Sequence, residues 1–137
     1  MNRVGAAATG WIVSALAALA IAIVVGWFPT RRLAGEAGLA GIAAGCAVAF
    51  AGAALGAMPV LLALAQGGAA KSHVVAARAM GLRAGGTLAG TLAIALGTGI
   101  ARTPFLIWTG VAYGALLVVE TRWTVRWLAA SDRQSEG

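Results

Sequence analysis

Hydrophobic positions fall into four long blocks that contain no charged residue. These blocks run over residues 4–30, 37–70, 84–101 and 103–119. A helix needs about 20 apolar residues to cross the hydrocarbon core of a bilayer. The pattern therefore predicts an all-α membrane protein with four transmembrane helices, at about 9–28, 38–65, 79–101 and 104–128. Together they form a single polytopic membrane domain that covers residues 1–137.

Composition agrees with a membrane protein and leaves little chain for a soluble domain. Hydrophobic residues make up 61% of the sequence and charged residues only 10%, whereas a soluble domain carries about 25% charged residues. The single cysteine, Cys46, lies within the second predicted span, so it forms no internal disulfide. A small packing residue is the favoured interpretation.

The basic residues predict the orientation in the membrane. Lys and Arg concentrate on the cytoplasmic flanks of membrane proteins. Seven of the ten lie on the side that holds both termini: Arg3, Lys71, Arg78, Arg83, Arg122, Arg126 and Arg133. The other side holds Arg31, Arg32 and Arg102. Both termini are therefore expected in the cytoplasm, and the net charge of +6 is attributed to topology rather than to nucleic-acid binding.

Tryptophans and prolines mark the expected span boundaries. All five tryptophans fall near predicted ends, where indole rings anchor at the level of the headgroups: Trp11, Trp27, Trp108, Trp123 and Trp127. Pro29 is expected to end the first span and Pro59 to kink the second. A very short loop near residues 100–102 predicts that the last two spans form a tight hairpin.

Small residues recur at a spacing of four, which lets helix backbones approach closely in lipid. One interpretation is docking against another protein's helices, and the other, which we favour, is packing within the bundle. With 20 glycines in the chain, some of these matches arise by chance. The pairs are Gly41 and Gly45, Gly52 and Gly56, Gly86 and Gly90, and Gly110 and Gly114.

Lys71, Arg78, Arg122 and Arg126 form a predicted cytoplasmic basic surface. A basic segment beside the membrane contacts lipid headgroups and sets topology. The alternative is a docking surface for an acidic soluble partner. His73 stands without a second ligand nearby.

The sequence holds no recognisable catalytic constellation. No ionisable residue lies at the centre of a predicted span, where pumps and secondary transporters usually place one. His and Cys residues do not occur at metal-ligand spacing, and no phosphate loop is present. We therefore expect no enzyme activity, no bound metal and no cofactor.

Glu120, at the end of the last apolar block, is either a proton or ion site or part of a structural ion pair. In a tight hairpin, the helical spacing brings Glu120 and Arg83 to similar depth near the inner interface. A carboxylate with arginines in range stays ionised and paired. We therefore favour an Arg83–Glu120 ion pair.

The second half of the chain, ARAMGLRAGGTLAGTLAIALGTGIARTPFLIWTGVAYGALLVVETRWTVRWL, covers residues 77–128. Its basic lead-in, small-residue span, short turn and PFLIWTGVAY segment resemble the final hairpin of the ATP synthase protein I family. The resemblance implies a non-catalytic accessory protein in the bacterial plasma membrane. Such a protein helps the rotor ring of c-subunits of an F-type ATP synthase to assemble or remain stable.

Two alternatives remain open. One is a small transporter or channel for an ion or small molecule, although the first apolar block lacks the membrane-embedded glutamate of small multidrug exporters. The other is an accessory subunit of a different membrane complex.

Overall fold

The computed structural model describes residues 3–66 and 72–135. Within them the chain forms three α-helices: α1 (Arg3–Ala65), α2 (Ser72–Gly97) and α3 (Arg102–Ser135). Each contains a segment long and apolar enough to cross a membrane, namely Ala8–Ala63, His73–Gly97 and Arg102–Trp123. These three candidate spans are consistent with a membrane protein.

The prediction of four helices is wrong, because the first two apolar blocks are joined within α1 without a loop. The charged stretch from Arg31 to Glu36, which was expected to lie in a loop, is part of that helical element. Pro29 lies inside α1 and does not end it, and Pro59 also lies inside it. A helix can continue past a proline when only local hydrogen bonds are lost. The interruption occurs instead at Gly35.

Gly35 reverses the direction of α1. Its backbone has φ 60° and ψ −151°, a combination that is not helical and that side chains with a Cβ rarely adopt. The rings of Trp11 and Phe50 stack with centroids 6.0 Å apart. In one straight helix, residues separated by 39 positions would lie about 58 Å apart. The two arms of α1, residues 3–34 and 36–65, therefore fold back on each other.

α2 and α3 each pack mainly against α1 and touch each other only sparsely. The link between them, residues 98–101, is short, as the sequence indicated. The expected tight hairpin of helices is nevertheless wrong, because a short link constrains only the two helix ends that it joins. α2 begins earlier than predicted, at Ser72, and α3 continues past residue 128 to Ser135. An open cleft lies between α2 and α3.

Half of the core residues are alanines, which let the helices approach closely. Trp11 is an exception to the predicted role of tryptophans as interfacial anchors. It is only 4% exposed and packs inside this core, because α1 folds Phe50 over it. The core consists of Trp11, Ala15, Leu19, Ile42, Cys46, Ala49, Ala53, Ala57, Ala112 and Leu116.

Candidate functional site in the cleft between α2 and α3

Arg83 of α2 and Glu120 of α3 form an ion pair across the cleft. Arg83 is 5% exposed, and the Glu120 side chain is 19% exposed. Two charges taken out of water are stable only when they are paired and hydrogen-bonded. The pair therefore neutralises two charges that would otherwise be costly in the apolar part of the bundle.

The Arg83 side chain is held by three groups of α3. Its Nη1 donates a hydrogen bond to Glu120 Oε2, and its Nη2 donates to the backbone carbonyl of Tyr113 at 3.0 Å. Its guanidinium carbon lies 4.6 Å from the centre of the Tyr113 ring, a cation–π arrangement. Gly56 of α1 makes room behind Arg83, since a Cβ there would lie 2.9 Å from the Arg83 Cβ. α2 is thus fastened to α3 through one buried side chain.

Three polar atoms near this pair have no hydrogen-bond partner among the described residues. They are Arg83 Nε, Glu120 Oε1 and the Thr87 hydroxyl, and each is buried. An unpaired buried donor or acceptor costs about 1–3 kcal/mol. The site therefore retains the capacity to donate one further hydrogen bond from Arg83 and to accept one at Glu120.

The pair lines a cavity of about 410 Å³ whose walls come from all three helices. Small-molecule sites commonly have volumes of about 300–1,000 Å³. Most wall atoms are apolar, so the polar groups of the pair stand in a largely hydrocarbon-like environment. The lining is Gly56, Val60, Ala76, Ala79, Met80, Arg83, Ala84, Tyr113, Leu117, Glu120, Thr121 and Val125.

Three of the four glycine pairs are covered within the chain: Gly41 and Gly45, Gly52 and Gly56, and Gly86 and Gly90. Cβ atoms on Gly41 and Gly45 would lie 2.9 and 2.7 Å from the backbone nitrogens of Phe105 and Thr109 of α3. Gly86 packs in the same way against Leu55 of α1, where a Cβ would lie 2.6 Å from Cδ1.

Gly90 of α2 also faces α1, because a Cβ there would lie 3.1 Å from Val48. Gly110 and Gly114 of α3 differ, since a Cβ on either would meet nothing within 4 Å. Glycine pairs at a spacing of four are therefore packed against a neighbouring helix in α1 and α2, whereas the pair in α3 is not.

The structure describes three of the four residues of the predicted basic surface. Arg78, Arg122 and Arg126 are exposed, and Lys71 lies outside the described residues. Within residues 3–66 and 72–135, no group of three or more His, Cys, Asp or Glu side chains is placed to hold a metal ion.

Tyr113 is the site residue that sequence reasoning missed. It precedes Glu120 by seven residues, two helical turns, so both lie on one face of α3. That spacing is the signal that would have placed Tyr113 beside the ion pair. Thr87 lies one turn after Arg83 and is a neighbour for the same reason.

Comparisons of this chain with protein-family models, with curated proteins and with solved structures find no match.

Proposed function

We propose that this chain is a non-catalytic accessory protein of a bacterial F-type ATP synthase, which helps the c-ring to assemble or remain stable. The resemblance of residues 77–128 to the ATP synthase protein I family motivates the choice of complex. The distribution of arginines supports a bacterial plasma-membrane protein with both termini in the cytoplasm.

The free glycine face of α3 is the observation that carries the docking role. A Cβ on Gly110 or Gly114 would meet nothing within 4 Å, and the two glycines lie four residues apart on the same face of α3. Helices associate in lipid chiefly through close packing of small residues. A partner helix can therefore approach the backbone of α3 without displacing any internal contact.

The test is a mild-detergent pull-down of the tagged protein from its native membrane, read out by mass spectrometry for synthase subunits. A variant with Gly110→Leu and Gly114→Leu blocks the face. A matched control carries Gly81→Leu and Gly85→Leu on α2. Those glycines have the same spacing and equally open surroundings.

We expect c-subunits with the parent protein and with the α2 control, and their loss with the α3 variant. Equal recovery with all three proteins would contradict the docking face. Recovery of no synthase subunit with the parent protein would contradict the proposed complex. Gly86 and Gly90 are poorer targets, because Leu55 and Val48 already cover them and larger residues there would disturb the fold.

The cleft favours one second candidate, a small transporter or channel. Ionisable residues inside membrane-spanning segments are rare, and they often mark the pathway of a transported ion or substrate. Arg83 and Glu120 line an open cavity within the candidate spans. Flux of ions or small solutes in liposomes that is abolished by Glu120→Gln would support this candidate over the accessory role.

A further inference from the structure

We propose that the cleft between α2 and α3 binds a bilayer-soluble amphiphile that has one apolar chain and an uncharged head bearing a hydroxyl group. The head would lie against Arg83 and Glu120, and the chain would lie along the apolar walls. The lining of the cleft contains neither Gly110 nor Gly114, and the site needs no partner protein.

The polar end of the cleft defines the head. Among residues 3–66 and 72–135, the buried Glu120 Oε1 has no hydrogen-bond donor and the buried Arg83 Nε has no acceptor. A hydroxyl group donates one hydrogen bond and accepts others, so it can complement either of these atoms. A head that only accepts hydrogen bonds would leave the carboxylate oxygen unsatisfied.

The charge of the pair excludes an ionic head. Arg83 and Glu120 cancel each other's charge, so a charged head would bring an uncompensated charge into an apolar cavity. That arrangement is strongly unfavourable. The Tyr113 ring is already engaged by the Arg83 guanidinium, which leaves it poorly placed to stabilise a second cation.

The remaining walls of the cleft define the apolar chain of the amphiphile. Val60, Met80, Leu117 and Val125 supply an apolar lining. Met80 is 75% exposed and Val125 59% exposed, so the cleft is open toward its surroundings. Since these helices are apolar enough to span a membrane, an amphiphile dissolved in the bilayer can enter from the side. The cavity volume of about 410 Å³ suits an amphiphile with one apolar chain and one small head group.

The experiment uses the purified full-length protein in lipid nanodiscs and three photoreactive probes of equal chain length. One is a long-chain diazirine alcohol, the second its methyl ether and the third the corresponding hydrocarbon. Labelled residues are mapped by mass spectrometry. We expect the alcohol to label the cleft lining about three- to tenfold more than the ether or the hydrocarbon. The hydrogen bond that the ether cannot donate supplies a preference of about that size, and the hydrocarbon can neither donate nor accept one.

A cleft-filling variant tests the location. Leu117→Trp places a large side chain in the cavity, whereas Val118→Trp on the same helix is an equally large change outside the lining. We expect the first to abolish cleft labelling and the second to leave it unchanged. Equal labelling by alcohol and ether would overturn the hydroxyl head. Labelling that persists in Leu117→Trp would overturn the site. Neither result depends on recovery of synthase subunits.

Discussion

The indole nitrogen of Trp108 donates a hydrogen bond to the hydroxyl of Thr30 at 2.9 Å, although the two residues are 78 positions apart. Thr30 is buried near the reversal of α1, and the Trp108 ring covers the open side of Gly26. The contact therefore fixes α3 against the end of the α1 hairpin. Because Gly26 has no side chain, the indole can lie directly on the helix backbone.

Thr30→Val should lower the free energy of unfolding by about 0.5–1.5 kcal/mol, because it removes the acceptor of the half-buried indole N–H of Trp108. The measurement is unfolding in mixed micelles, followed by tryptophan fluorescence. Thr98→Val is the matched control, since Thr98 is exposed and bonds only the carbonyl of Ile94 in its own preceding turn. Equal effects of the two changes would show that the Trp108 contact adds nothing to stability.

Arg83→Glu should destabilise the folded protein by about 3–5 kcal/mol, because it places two carboxylates together where an ion pair was buried. Adding Glu120→Arg should restore part of the loss. Restoration stays partial because the hydrogen bond from Arg83 to the Tyr113 carbonyl is not rebuilt. Thermal unfolding of the detergent-extracted single and double variants measures both effects. Absence of any rescue would contradict an energetically coupled pair.

Two glycine-to-alanine substitutions should change the stability of the folded protein in opposite directions. In Gly45→Ala the new methyl would lie 2.7 Å from Thr109 N and 3.0 Å from Trp108 C, both backbone atoms of α3. The helices must separate, which costs about 1–3 kcal/mol. Gly110→Ala meets open space and should stabilise the helix by about 0.5–1 kcal/mol. Paired thermal melts test the contrast, and similar shifts for both variants would refute it.

Gly35→Ala should cost about 1–3 kcal/mol, since its backbone conformation is strained for any residue with a Cβ. The stack of Trp11 on Phe50 depends on that reversal, so near-ultraviolet circular dichroism should weaken along with stability. Gly81→Ala, in an open helical position, is the control and should retain both signals. An unchanged spectrum and melting temperature in Gly35→Ala would show that the reversal does not need glycine.

Cysteines introduced at positions 31 and 75 should label from opposite sides of the membrane, with the native Cys46 replaced by alanine. The arm of α1 over residues 36–65 separates the two regions by about 45 Å of helix. A membrane-impermeant thiol reagent added to intact cells should modify position 31, and position 75 only after the membrane is opened. Labelling of both positions in intact cells would contradict the proposed orientation.

Helix content and membrane character could be predicted from the sequence, because both depend on local composition. Long uncharged apolar runs lead to helices that bilayers accept, wherever their neighbours lie. The similar depth of Arg83 and Glu120 also followed from helical rise and a short connection. That the first two predicted spans are joined within α1 could not be predicted. The chain from Arg31 to Glu36 has the composition of a loop, yet a single non-helical glycine with φ 60° makes the reversal between the two arms of α1.

The apolar helices, the basic residues between the apolar blocks and the positions of the small-residue motifs follow from the sequence alone. The packing of the helices covers Gly41 and Gly45 and leaves Gly110 and Gly114 free. The same packing buries Trp11 and leaves a cleft between α2 and α3. The reason is physical: a motif specifies what can pack closely. Whether a neighbouring helix packs against a motif depends on how each helix is rotated and on which residues distant in sequence lie beside it. A local sequence pattern contains neither kind of information.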